Sequence, residues 1–382
     1  MKILIFKGES SYDALRNMAD RLASAFNSFV EAEVIDILQE TTESLIKRLL
    51  RLDYNAIVSF NAVLTHGLTL PDANAKTPLL SMLPVPHVCW MMDDPIYHYD
   101  RLKIKNDFRL VLTCSEYHSD FLATLDSGAK HSVLFPGFLP PSAKLKPHRH
   151  REFDFIIAAS WMGEPKEFWS QVSEPARRIL KDTIDRVECG DYSNVYQAIK
   201  SAALDQDIDL AVNSNTLPLL IAVEDFLRQR ERLKIIENIV NTDSRIGIIG
   251  NGWDDRGFGK NVRVFPSVNS SAILSHYQNS RIVVNLNARN GGSERLMDGI
   301  SSGAAVLSPF SPSLSKEIPE GSGVRYLQYP FENNFNHVLE ELSDTSITEE
   351  LSQRGISELL ESHLWSHRAK RMVDLFSNQK IQ

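Results

Sequence analysis

Three stretches of the chain carry residue types that could do chemistry. In residues 281–309, RIVVNLNARNGGSERLMDGISSGAAVLSP, Glu294 and Asp298 stand four apart, on one face of any helix formed there, with Arg295 beside them. Carboxylates so placed accept hydrogen bonds from sugar or ribose hydroxyls, and an arginine offers its fork to a diphosphate. An ordinary charged surface helix would carry the same residues. The second stretch is Asp93-Asp94-Pro95. Two adjacent carboxylates can bind hydroxyls or supply a general base, although Asp and Pro also simply make turns. The third, DQDID at 205–209, has a D-x-D spacing that could hold a divalent metal. Its longer apolar run follows it, at 210–212, so the pattern reads instead as a helix end and a solvated loop.

These residues need elements to place them. Residues 282–284 read as a buried parallel strand, followed by a polar, glycine-bearing turn and a short helix. Ser293 suits its N-cap, Glu294 its first turn, and Gly303 the position after its end. The next strand spans 304–307, completing a βαβ unit whose helix start is a seat for phosphate. Upstream, strands at 2–6, 33–37, 56–60, 88–91, 109–115 and 132–135 alternate with helical segments, the pattern of a doubly wound α/β domain. In such domains ligands meet the loops at the carboxyl ends of the strands, where Asp93 and Asp94 fall. Glu9, His66 and His118 lie beyond other strands of this domain and compete with them for a chemical role.

Residues 139–151, LPPSAKLKPHRHR, hold prolines and basic residues without apolar periodicity and read as a solvated linker, His148 and His150 included. The pattern then restarts with a strand at 153–159, a small-residue turn at 160–165, a largely helical stretch at 166–240, and strands at 245–249 and 262–265. Gly250-Asn251-Gly252 is not a dinucleotide fingerprint, because Asp255 stands where the third glycine belongs and no helix opens there. Strand 323–326 and helices at 334–342, 349–360 and 365–376 finish the chain.

At 382 residues the chain has room for two cores. A net charge of −8 argues against a general nucleic-acid binder. Cys89, Cys114 and Cys189 are too few and too scattered for disulfides or zinc, and the first two lie in apolar runs as core residues. The opening MKILIF runs directly into a strand, and no apolar run approaches a membrane span. A soluble protein of a reducing compartment is expected.

The motifs GIIGNGW (247–253), VRVFPSV (262–268), HYQNSRIVVNLN (276–287), SERLMDGISSGAAVLS (293–308) and HLWSHRAKRM (363–372) resemble the C-terminal domain of group 1 glycosyltransferases, in the spore-maturation CgeB-like branch. VCWMMDDP and VLTCSEYHSDFL resemble that branch's first domain. The resemblance implies an α/β GT-B fold: two facing Rossmann-like doubly wound domains, with a C-terminal helix crossing back to the first. The expected divisions are 1–140 on the acceptor side, 152–360 on the donor side, and 361–382 returning to the first domain.

It further implies a bacterial, cytoplasmic enzyme of polysaccharide or glycoprotein biosynthesis, or one peripheral to the inner face of the membrane. Such an enzyme moves sugar from a nucleotide-diphosphate donor of unknown base to a glycan, lipid-linked or protein acceptor. No cofactor, metal, nucleic-acid partner or transmembrane segment is expected, and oligomeric state and anomeric outcome stay open. Asp298 aligns with the acid that binds ribose hydroxyls, a glutamate in most of the branch; Asn290 stands at the first position of the glutamate–seven–glutamate pattern. Pro266, Ser267 and Val268, with Gly252 and Trp253, would lie toward the nucleoside. Arg289, Gly291, Gly292, Ser293, Glu294 and Arg295, with Ser160 and Gly163, would surround the diphosphate. Asp93 and Asp94 are expected to bind the acceptor or act as base. A nucleotide-sugar epimerase or hydrolase of the same fold, or a catalytically inactive nucleotide-binding scaffold, are the alternatives.

Overall fold

Apolar runs without alternation become strands covered on both faces, and here they fill two sheets. The computed structural model describes residues 1–69, 77–142, 144–254, 256–286, 289 and 293–378. These form two compact units: residues 1–137 with 362–382, and residues 138–361.

In the first unit, β1 (Lys2–Lys7), β2 (Glu31–Asp36), β3 (Ala56–Phe60), β4 (His87–Trp90), β5 (Arg109–Thr113) and β6 (Lys130–Val133) form a sheet of order β2-β1-β3-β4-β5-β6. Every pairing is parallel. Helices α1 (Ala14–Phe26), α2 (Thr42–Leu50), α3 (Tyr99–Leu102) and α4 (His118–Ala123) connect them. Met18, Leu22 and Phe26 supply the buried stripe of α1, at the spacing that gives a helix one apolar face. The strand order reverses between β1 and β3, so the crevice at this unit's switch point lies beyond their carboxyl ends.

The second unit repeats the scheme with β7 (Phe153–Ala158), β8 (Ile246–Ile249), β9 (Val262–Phe265), β10 (Ser280–Val284), β11 (Ala305–Pro309) and β12 (Val324–Leu327). Their order is β12-β11-β10-β7-β8-β9, again parallel throughout. The helical stretch between β7 and β8 resolves into α5 (Glu174–Cys189), α6 (Val195–Leu204) and α7 (Leu217–Val240). After it come α8 (Ser270–Gln278), α9 (Glu294–Ser301), α10 (Pro312–Glu317), α11 (Phe335–Ser343) and α12 (Thr345–Ser362). Here the order reverses between β7 and β10. The last helix, α13 (Trp365–Asn378), packs in the first unit, on α1. Trp365 meets Trp90 edge-on with ring centroids 5.8 Å apart. Gly137 makes room for it, since a Cβ there would stand 2.5 Å from the Trp365 ring.

The solvated linker expected at 139–151 is not what forms. His148 is 1 % exposed and Arg151 2 % exposed. The His148 ring bonds the Gly303 carbonyl through Nε2 at 2.8 Å and the Thr348 hydroxyl through Nδ1 at 2.9 Å. Arg151 donates to Ser280 O at 2.7 Å and Lys146 O at 3.0 Å. The segment lacks apolar periodicity because polar side chains bonded to carbonyls, rather than an apolar stripe, fix it to the second unit. A carbonyl only accepts, so Nε2 carries the proton and Nδ1 accepts from Thr348. Burial, opposed by the Gly303 bond and aided by Arg151 and Arg281, holds the ring's pKa down to about 4.

Burial also lowers His87 to about 3 and His363 to about 4. These rings take up a proton near pH 6.5 when unfolded, well above their folded values, so the unfolded state binds more protons between those limits. Their stabilisation is complete above pH 6.5 and is lost as pH falls toward 4. Urea midpoints should therefore drop between pH 7.5 and 5, and His148→Gln should flatten that slope. An unchanged slope in the variant would refute His148's share.

Candidate active site

At the switch point of the second unit, four elements bring polar groups together. The loop after β7 supplies Ser160, whose hydroxyl accepts from Asn251 N at 3.2 Å and whose carbonyl accepts from Arg232 on α7 at 3.2 Å. Gly250 lets the ends of β7 and β8 close on each other, since a Cβ there would stand 2.2 Å from Ala159 O. Gly163 and Gly252 are both left-handed, at φ 89° and 82°, a region that favours glycine. Gly163 faces open space, whereas Gly252 packs on Trp161.

Ser293 caps α9, its hydroxyl accepting from Arg295 N at 3.1 Å. Glu294 lies in the first turn, half-buried. Arg295 lies against the Tyr277 hydroxyl, and its buried Nη1 has no hydrogen-bond partner among the described residues. Asp298 is 3 % exposed, on the inward face of α9 near Tyr277. Arg232, 7 % exposed, is pushed down to about 9, first by burial and then by the cations of Arg228 and Arg295. Guanidiniums that repel each other beside a helix N-terminus, that of Arg232 buried and that of Arg295 partly so, favour an anion in their midst. The charge of a diphosphate fits that demand.

Other expected residues fall differently. Trp253 is 1 % exposed and its indole donates to Ala159 O at 2.6 Å. Its ring stacks edge-on with Trp161 at 5.1 Å. It therefore props the β8 turn from the core rather than facing a ligand. Arg289, 8 % exposed, is held by Glu231 on α7 at 2.8 Å, and Glu231 also accepts from Tyr329 at 2.5 Å. Its charge is engaged in that buried pair. Pro266, Ser267 and Val268 form the turn after β9, where Ser267 N donates to Asn251 Oδ1 at 3.4 Å, so this turn and the β8 turn are adjacent. Gly291 and Gly292, like Asn290, lie outside the described residues. DQDID caps α6 and continues as an exposed loop, with Asp205 paired to Arg186.

In the first unit Asp93 and Asp94 both follow β4 but do different things. Asp94 Oδ1 accepts from Ile96 N at 3.0 Å, capping the 3-10 turn Pro95–His98, and Oδ2 stands 3.5 Å from His118 Nε2. Both of these side chains are at most 4 % exposed. Asp94 thus fits the turn-making role, and His118 is its buried neighbour. Asp93 is half exposed, with its Oδ2 taking a hydrogen bond from Asn61 at 2.7 Å and lying 3.7 Å from His98 Nε2. Glu9 and His66 are exposed in the loops after β1 and β3.

Sequence reasoning missed Asn61, Glu231 and Arg232. Residues 223–240 read from the sequence as a helical segment of mixed charge and regular apolar spacing, which singles out none of its charges. Glu224 and Glu231, seven apart, share one face of that helix, and the structure buries both.

Residues 224–374 match the family model described as Glycosyl transferase-like. Sucrose-phosphate synthase from Thermosynechococcus elongatus is similar in structure, at 9% identity with a TM-score of 0.57, over 99% of this chain and 98% of that one. An alpha-glucosyltransferase in complex with UDP-glucose and DNA containing an abasic site aligns at 10% identity and TM-score 0.54, over 99% of each chain. The alpha-glucosyltransferase in complex with UDP and a 13-mer DNA containing a HMU base aligns at 10% identity and TM-score 0.52, again over 99% of each. No curated protein matches by sequence. The fold is that of the GT-B glycosyltransferases, and with the glycosyl transferase-like domain it supports a glycosyltransferase. No helix among the described residues is long and apolar enough to cross a membrane.

Proposed function

We propose that the protein transfers a sugar from a nucleotide-diphosphate donor held by the second unit, without a metal, to a glycan, lipid-linked or protein acceptor. The CgeB-like branch is the group we favour. The observation that carries the reading is the cationic crevice of Arg232, Arg295 and the α9 N-terminus at a topological switch point, inside the matched domain. Such groups stabilise charge growing on a leaving diphosphate without a divalent cation. Two of the similar structures hold DNA; a net charge of −8 disfavours that acceptor class here. A cytoplasmic site of action goes with this reading, at the inner face of the membrane if the acceptor is lipid-linked.

Thermal shifts with UDP, GDP, dTDP, ADP and CMP, each with magnesium and with EDTA, test it. One nucleotide should stabilise selectively, by about 2.7 kcal/mol at a hundredfold excess over Kd, and EDTA should leave the shift intact. No shift from any nucleotide would overturn the donor reading, and a shift lost on chelation would overturn its metal independence. Free sugar or an epimer formed without acceptor would favour the hydrolase or epimerase alternative; tight binding without turnover would favour the scaffold. We assign Asp298 to the ribose. A charged hydrogen bond there is worth about 1.5–3 kcal/mol, so Asp298→Ala should weaken nucleotide binding about 10- to 100-fold. Glu294→Ala is the control, one turn closer to the helix start; if it has the larger effect, the ribose belongs to Glu294.

A further inference from the structure

Gly250-Asn251-Gly252, the turn after β8, presents one polar side chain at the carboxyl ends of the second unit's strands. Gly250 N donates to Phe265 O at 3.1 Å, so β8 and β9 stay paired into their turns. Asn251 then joins the turn to two other segments. Its backbone N–H donates to the Ser160 hydroxyl at 3.2 Å, and its carbonyl accepts from Trp161 N at 2.8 Å. Its side-chain Oδ1 accepts from Ser267 N at 3.4 Å, in the turn after β9. A backbone N–H only donates, so the amide oxygen faces Ser267 and the NH2 group lies on the other side. Asn251 is exposed, and that NH2 has no hydrogen-bond partner among the described residues. Ser160 ties this turn to the cationic crevice. Its hydroxyl meets Asn251 while its carbonyl accepts from Arg232 at 3.2 Å. One residue thus stands between the Asn251 turn and the guanidiniums. A nucleotide with its diphosphate among those cations has its nucleoside to place along the same row of strand ends.

We propose that Asn251 reads the donor's base: its NH2 donates to a keto oxygen at position 4 of a pyrimidine or 6 of a purine. Donors built on uracil, thymine or guanine are thereby selected over those built on cytosine or adenine. This rests on the nucleotide-donor reading and adds to it the class of base. The keto bases carry an acceptor where cytosine and adenine carry an NH2 donor. Two donors that face each other cannot bond, and each gives up its water, so the amino bases lose affinity. Bracing the three segments uses only the Asn251 backbone and Oδ1. An aspartate would brace them equally well, so the NH2 half of the side chain is what a base can read.

Calorimetric Kd values for UDP against CDP, and for GDP against ADP, test this on the parent, Asn251→Asp and Asn251→Ala. Within each pair the ring size and the phosphates are the same. The parent should bind the keto member about 10-fold more tightly, in whichever ring size it takes. Asn251→Asp keeps the acceptor for Ser267 N and replaces the NH2 donor by an acceptor, so the preference should reverse toward CDP or ADP. Its added negative charge weakens both members of a pair together and cancels in their ratio. Asn251→Ala should bring the ratio close to one. A parent that binds both members equally, or prefers the amino one, would overturn the proposal and leave the donor reading standing. A ratio that Asn251→Asp leaves unchanged would do the same, since a bracing role alone weakens both members alike. Binding of none of the four by the parent would overturn it too, and if dTDP also gives no thermal shift the donor reading falls with it.

Discussion

Asp93→Asn should lower sugar transfer by about 10²- to 10⁴-fold, the range a general base contributes, while leaving nucleotide-induced stabilisation unchanged. The expectation separates two neighbours that the sequence shows as equals. Asp93 is 51 % exposed, with its Oδ2 taking a hydrogen bond from Asn61, so its carboxylate lies within reach of a ligand. Asp94 is 4 % exposed and spends one oxygen on a helical cap and the other beside His118. Asparagine at 93 still accepts from the Asn61 amide through its carbonyl oxygen, so the turn should keep its shape and lose only the proton acceptor. Asp94→Ala should act the other way, costing about 0.5–2 kcal/mol of stability through the lost cap and changing kcat little. Chemical denaturation and initial rates on the same preparations decide between them. If Asp94→Ala abolishes transfer in a folded protein and Asp93→Asn does not, the buried Asp94–His118 pair is the chemical one.

What the sequence disclosed and what it withheld divide along a physical line. Parallel strands buried on both faces are written as continuous apolar runs such as Ile3–Phe6, and the turns between them as Gly, Pro and Asn, so both doubly wound sheets could be read from periodicity. Local caps were equally legible: Ser293 and the start of α9 fall where residue type and spacing put them. The polar interior was not. His148 and Arg151 sit in a stretch whose composition matches a solvated linker, and only their partners on α12 and at Gly303 and Ser280, far away in sequence, make them core residues. Arg289 looked like a diphosphate ligand because it lies in the loop before α9. Nothing local announces that Glu231, 58 positions earlier, already holds it. Long-range polar pairing has no period, so it leaves no local trace.

That pair sets the second large effect. Glu231→Ala should destabilise the protein by about 3–5 kcal/mol, since removing one partner leaves a buried charge without its counter-ion. Arg289 and Glu231 are each 8 % exposed, so water cannot replace the carboxylate easily. Tyr329 would also lose its acceptor, and burial together with Glu231 holds that hydroxyl well above its usual ionisation range, so it donates at any working pH. Replacing both charges by Met should recover most of the loss, because an apolar pair of similar volume avoids the desolvation cost. The double variant also has a functional reading. If the diphosphate is held by Arg232, Arg295 and the α9 N-terminus, the folded Glu231→Met, Arg289→Met protein should bind the nucleotide within a few-fold of the parent. A loss of 100-fold or more, about 2.7 kcal/mol, would return Arg289 to the diphosphate and make Glu231 the group that releases it.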